Sequence, residues 1–171
     1  MSDDLQTLIH ASKRGDITSF QRLHALFVNR AYGVCFRLLA DVPKAEDACQ
    51  ETFIKVWQQL PQFRGDSSFS TWLHSIATRT AIDAWRKDKN LRLVAATNIE
   101  ELTAPADEPV SKSLEQAIAQ LPHQARAVFI LFAIEGYTHK EIAQLLAIAE
   151  GSSKAHYHRA RQILQEMLSE Q

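Results

Sequence analysis

A basic segment near the C-terminus carries residue types that read nucleic acid. From Gly151 to Ile163 there is no aspartate or glutamate, while Lys154, His156, His158, Arg159 and Arg161 follow one another closely. Upstream, Thr138-His139-Lys140-Glu141 has the S/T-x-x-E pattern of a helix capping box, and Ile142, Ala143, Leu145 and Leu146 follow it. Two helices joined by a short turn, the second of them basic, make a helix-turn-helix. Ser152, Ser153 and Lys154 stand near the start of the second helix. Free backbone N–H groups and side-chain donors there reach phosphates and base edges. Lysine and arginine can read guanine in the major groove, and histidine can donate or accept. The plainer alternative is a helical hairpin with a solvated basic face.

A second cluster combines rings with cations. Phe63, Phe69, Trp72 and Trp85 surround the segment 63–68, near Arg64, Arg79 and Arg86. Aromatics interleaved with basic residues suit unstacked bases of single-stranded DNA. Core packing is the favoured reading of Phe69 and Trp85. Phe63, in a loop, suits either role.

Catalytic chemistry finds no foothold. No histidine has a glutamate three residues before it, so the di-iron E-x-x-H pattern is absent. There is no H-E-x-x-H, P-loop, G-x-G-x-x-G or G-x-S-x-G. His156 and His158 are two apart, and such residues do not meet on a helix. No catalytic residue, metal site, cofactor or small-molecule substrate is expected. Cys35 and Cys49 form no C-x-x-C and sit among apolar residues, which predicts buried thiols with a redox role left open.

These residues need a scaffold, and its class is all-α. Apolar residues make up 46% of the chain, enough for a core, while glycine and proline number only five each, too few for the turns of a β-rich fold. The net charge of −1 is close to neutral, so the basic segment is a local feature. Leu5, Leu8 and Ile9 begin a short helix that stops near Gly15, and Asp16 caps the next. Phe20, Leu23, Leu26, Phe27, Ala31, Val34, Cys35, Leu38 and Leu39 give that helix an apolar stripe. Pro43 opens a third helix, which runs through Phe53, Val56 and Trp57 to Leu60. A loop from Gln62 to Ser67 precedes a helix that starts near Ser68 and ends in the charged run Arg86–Lys89.

Periodicity then fades, and Pro105 and Pro109 rule out a continuous helix. The expected organisation is a first domain at 1–90, a flexible linker at 91–112 and a second small helical domain at 113–171. About 20 extended residues can span up to roughly 70 Å. In the second domain, a helix through Leu121 stops at Pro122. Another carries Ala127 to Ile134 and stops at Gly136. The last helix should run from Ser152 to about Leu168. The acidic N-terminus has no apolar signal core, and no window approaches a membrane span, so a cytoplasmic protein is expected.

The sequence resembles the extracytoplasmic-function sigma factors. Asp41-Val-Pro-Lys-Ala-Glu-Asp-Ala-Cys-Gln-Glu-Thr-Phe-Ile-Lys-Val-Trp57 and Phe63-Arg-Gly-Asp-Ser-Ser-Phe-Ser-Thr-Trp-Leu73 are similar to their second region. Leu121-Pro122, Glu135-Gly-Tyr-Thr-His-Lys-Glu-Ile-Ala143 and His158-Arg-Ala-Arg161 are similar to their fourth. The two halves occur in order and cover nearly the whole chain.

The resemblance implies roles for particular residues. Asp47, Gln50, Glu51, Phe53, Ile54 and Trp57 would dock on the clamp coiled coil of the polymerase largest subunit, with Phe53 and Trp57 partly core. Gln62, Phe63, Arg64 and Gly65 would capture a flipped base of the minus-ten element, with Trp72, Arg79, Asp83 and Arg86 facing DNA beside it. Flipping costs a few kcal/mol, which stacking and hydrogen bonds must offset. Thr138, Ser152, Ser153, Lys154, His156, Tyr157, Arg159 and Arg161 would serve the minus-thirty-five element, with the last helix in the major groove.

The implied partners are core RNA polymerase, through its clamp and flap, promoter DNA and an anti-sigma factor. The acidic linker, with Glu100, Glu101, Asp107 and Glu108, would thread toward the polymerase cleft or RNA exit path. One departure stands out. Family members often read G-T-V-K-S-R where this chain reads Gly151-Ser-Ser-Lys-Ala-His156. An apolar residue has become Ser153, a hydroxyl is lost at Ala155 and an arginine has become His156, so base preference is open there. The competing function is a stand-alone helix-turn-helix regulator.

Overall fold

The computed structural model describes residues 2–95 and 113–169, and all regular elements among them are helical. They are α1 (Ser2–Lys13), α2 (Ile17–Leu39), α3 (Val42–Gln59), α4 (Phe69–Ala95), α5 (Leu114–Ala119), α6 (His123–Phe129), α7 (His139–Leu146) and α8 (Glu150–Ser169). The all-α expectation is met. The expected linker segment from residue 96, including its four acidic residues, lies outside the described residues. Two compact units divide after Ala84.

The first unit is built by local capping and an apolar core. Asp16 accepts hydrogen bonds from the backbone N–H groups of Thr18 and Ser19 and so starts α2. Ala40 ends that helix in a left-handed conformation. One residue later, Asp41 accepts from the N–H of Lys44, with Pro43 in the first turn of α3. Leu23, Val34, Leu38, Val56, Leu60 and Leu73 are fully buried, and the α2–α3 hairpin forms most of this core. Cys35 and Cys49 lie within it. Burial, then the nearby Cys49, pushes the Cys35 thiol up to about 12, and burial also raises Cys49. Because the thiolate is the reactive form, both should resist a thiol alkylator at neutral pH while the protein is folded and react on unfolding. Mass spectrometry of labelled protein checks this, and rapid modification of the native chain would contradict it.

α4 outruns its expected end. Lysine and arginine are good helix formers, and the run Arg86–Lys89 holds no glycine or proline, so nothing local stops the helix before Ala95. Trp85 on α4 is the first residue of the second unit. It is fully buried, donates its indole N–H to the His123 carbonyl at 3.3 Å and stacks on the His123 ring.

The second unit adds two capping boxes. Ser113 and Gln116 bond reciprocally at the start of α5. Thr138 and Glu141 do the same at the start of α7, as the sequence pattern predicts. Arg126 was not anticipated: it is buried, and its guanidinium donates to the carbonyls of Ala119 and Leu121 around the α5 C-terminus. α6 continues as a π-helical turn, Ile130–Ile134, and Gly136 adopts φ 77°, which favours glycine. α8 starts at Glu150, ahead of the expected Ser152. An acid in the first turn favours the helix dipole, and the Ser153 N–H already bonds the Ala149 carbonyl.

Candidate functional site

Three surfaces carry the sequence-derived residues. On α3, Asp47, Gln50, Glu51 and Ile54 fall at i, i+3, i+4 and i+7, so they share one face, and all four are exposed. Ile54 is 57% exposed, the one large aliphatic side chain among these four residues. Phe53 turns inward, is 5% exposed and meets the His24 ring at 4.4 Å. Trp57 is half-buried against Phe20, with ring centroids 4.8 Å apart. Phe53 is therefore core, and Trp57 borders it. Sequence reasoning missed Lys55, which joins the surface to α4. Its ammonium lies 3.1 Å from Glu51 and 3.8 Å from Asp83, and also donates to the Thr80 hydroxyl at 3.3 Å.

The second surface is the loop between α3 and α4. A short 3-10 turn, Leu60–Gln62, leads into it, and the Phe63 N–H bonds the Leu60 carbonyl. The Phe63 ring is 9% exposed and lies against Trp72 at 4.9 Å and Phe69 at 5.8 Å, and Phe69 in turn meets Phe27. The ring that was open to either role thus sits in the aromatic floor. Gln62, Arg64 and Gly65 are exposed above it. Gly65 takes φ 81°, where a side chain would be strained even though the space is empty. Ser68 then caps α4 by accepting from the Thr71 N–H at 3.1 Å. Trp72, Arg79, Asp83 and Arg86 recur at helical spacing along α4, and Arg79, Asp83 and Arg86 are exposed while Trp72 is half-buried.

The third surface is the helix-turn-helix of α7 and α8, whose turn passes through Ala147 in a left-handed conformation at φ 53°. Thr138, Ser152, Lys154, Arg159 and Arg161 are exposed. The Thr138 hydroxyl is committed to Glu141 at 2.7 Å, so it caps the helix first. Ser153 departs from its expected DNA-facing role. It is 0% exposed, and its hydroxyl bonds His139 Nδ1 at 2.9 Å across the hairpin. The family pattern places an apolar side chain there, and the structure gives the reason: the position faces inward. Tyr157 is also an anchor, half-buried against Phe132 at 4.6 Å and near Phe129 and His139.

The electrostatics of α8 are local. Glu150 pairs with Lys154 at 2.9 Å, and that hydrogen bond and charge hold the Glu150 carboxyl below its ordinary value, so it is ionised at neutral pH. His156 is half-buried, and desolvation, then Arg159, lowers its pKa from 6.5. It is neutral at pH 7 and offers a hydrogen-bonding ring where an arginine would bring a charge. The unfolded chain takes up this proton more readily than the folded one. Stability from this group is therefore complete above pH 6.5 and lost as pH falls through the lower folded value. No group of three or more His, Cys, Asp or Glu among the described residues could hold a metal ion. No helix there is long and apolar enough to cross a membrane.

Two helical units, the second with a capped helix-turn-helix and a basic second helix, define a helix-turn-helix protein. Residues 23–91 match sigma-70 region 2, and residues 111–164 match sigma-70 region 4. The chain is 33% identical to the ECF RNA polymerase sigma factor SigW of Bacillus subtilis, over 91% of this chain and 92% of that one. It is 30% identical to the ECF RNA polymerase sigma-E factor of Escherichia coli, over 96% and 95%. The chain belongs to the extracytoplasmic-function sigma factors. In fold it is similar to the sigma factor RpoE of Bartonella quintana, solved with the anti-sigma factor NepR, at TM-score 0.54 and 24% identity over 90% of this chain and 98% of that one. CnrH, solved with the cytosolic domain of CnrY, gives TM-score 0.53 and 22% identity over 97% of each chain.

Proposed function

We propose that this sigma factor directs promoter-specific initiation by core RNA polymerase through three separate surfaces, with the polymerase supplying all catalysis. The observation that carries this reading is the exposed α3 stripe that ends in Ile54. It is a polar face with an apolar side chain turned away from the first unit's core, as expected of a protein-docking surface. Asp47, Gln50, Glu51 and Ile54 bind the clamp coiled coil, with Trp57 at the edge. Gln62, Arg64 and Gly65 capture the flipped base over the floor made by Phe63 and Trp72, and Arg79, Asp83 and Arg86 flank it on DNA. Ser152, Lys154, His156, Arg159 and Arg161 face the minus-thirty-five element, while Thr138, Ser153 and Tyr157 hold that helix in place.

The functional domains run over 1–90 and 113–171, a division supported by the two family matches. An open hollow of about 400 Å³, lined by Phe129, Arg161, Leu164, Gln165, Leu168 and Ser169, suits an apolar segment of the polymerase flap. Solved relatives carry anti-sigma factors, and this chain is restrained in the same way, in the cytoplasm, by a protein covering its polymerase-binding surfaces. The stand-alone regulator reading loses to family membership.

The test is a mobility-shift series with this protein, core polymerase and a cognate promoter fragment, alone and combined. A stable complex should form only with both proteins present. Tight specific binding by this chain alone, with no gain from core polymerase, would restore the regulator reading. Within such complexes, His156→Arg should strengthen promoter binding several-fold and steepen its salt slope by about one phosphate contact. An unchanged slope would place position 156 away from the DNA backbone.

A further inference from the structure

The base-capturing loop is held by a residue that lies far away in sequence. Lys13, in the last turn of α1, donates from its ammonium to the Phe63 carbonyl at 2.6 Å. The same ammonium sits 5.9 Å from the centroid of the Phe63 ring. α1 precedes the segment that matches region 2, which begins at residue 23. The contact thus recruits a helix outside that segment to the loop.

The Phe63 carbonyl is a sensitive place to anchor. It belongs to the peptide that joins Phe63 to Arg64, immediately before Gly65 turns the chain at φ 81°. A trans peptide is planar, so fixing the carbonyl direction also fixes the Arg64 N–H, which points the opposite way. The Phe63 ring is already gripped from below by Phe69 and Trp72. Ring and carbonyl together leave the backbone at Phe63 little freedom. Without the lysine, the ring would stay packed, but the peptide plane could rotate.

We propose that Lys13 is a positioning residue for promoter recognition, orienting the Phe63–Arg64 peptide so that the loop presents a fixed set of donors and acceptors to the captured base. The inference rests on the proposed role of the 62–65 loop. It predicts an effect on selectivity between bases. A lysine that merely touched a phosphate would act alike on every sequence and alter the salt slope.

The experiment uses the full chain with core polymerase on four promoters that differ only at the captured minus-ten base. Open-complex formation is measured for wild type, Lys13→Met, Lys13→Gln and Lys13→Arg, alongside core-polymerase affinity and melting temperature. The wild type should prefer one base. Lys13→Met and Lys13→Gln should lower that preference by about tenfold, the scale of losing a charge-assisted hydrogen bond, with core affinity and melting temperature unchanged. Lys13→Arg should restore most of it. A uniform loss on all four promoters, no loss, or a loss matched by lower melting temperatures in both neutral variants would overturn the proposal. A wild type with no preference at this base would overturn the loop assignment itself, a failure visible before any variant is read.

Discussion

Aspartate in place of Ile54 is expected to weaken binding to core RNA polymerase on the order of 100-fold while leaving the melting temperature unchanged. Ile54 is exposed on the face that also carries Asp47, Gln50 and Glu51, so the free protein loses no core packing in Ile54→Asp. On the proposed docking role, the same position enters an apolar part of the interface, and an unpaired carboxylate there would be desolvated without compensation. Fluorescence anisotropy with labelled core polymerase reads the affinity, and thermal melting reads the fold. An undiminished affinity would remove the α3 face from the account. Lys55 provides a contrast on the same helix: its ion pairs with Glu51 and Asp83 are only partly shielded from solvent, and such pairs contribute little.

Phe63→Ala should act mainly on stability. The ring is buried among Phe69 and Trp72, and truncating a buried phenylalanine costs about 3–5 kcal/mol. For a unit of this size that corresponds to a fall of roughly 12–40 °C in the melting transition. Promoter opening would be lost with it, because the loop above the ring loses its floor. Phe63→Leu keeps most of the apolar volume and should retain much of both. Were the ring instead stacked on the captured base, Phe63→Ala would abolish opening at an unchanged melting temperature. Calorimetry on the two variants separates these outcomes.

The helices themselves were legible because their signals are local. Asp16, Pro43 and the Thr138–Glu141 box announce helix starts through short-range geometry and hydrogen bonds, and each is realised. The apolar stripe of α2 likewise marks the buried face, except at Leu26, which is 63% exposed. The end of α4 is not legible in the sequence, because a charged run reads as a stop only by composition and no residue in it breaks a helix. The start of α8 lies two residues before the expected Ser152, because Glu150 belongs to the helix it opens and not to the turn.

Site residues were legible as segments and not as orientations. Spacing places Asp47, Gln50, Glu51 and Ile54 on one face, but whether Phe63 points up or down depends on Phe69 and Trp72, which only the folded chain brings together. Ser153 shows the same limit. A serine beside Ser152 and Lys154 looks like a DNA contact, yet the helical turn carries it into the hairpin against His139. Arg126 and Lys13 act through partners distant enough in the chain or unpatterned enough that no sequence rule flags them.

The central claim is that this chain confers promoter-directed initiation on core RNA polymerase. The most direct test is run-off transcription by bacterial core polymerase, with and without the protein, on the DNA upstream of its own coding sequence. A transcript that begins at one defined position and requires this protein is the predicted result. Core polymerase that binds neither the protein nor the promoter in its presence, and yields no transcript, would contradict the account.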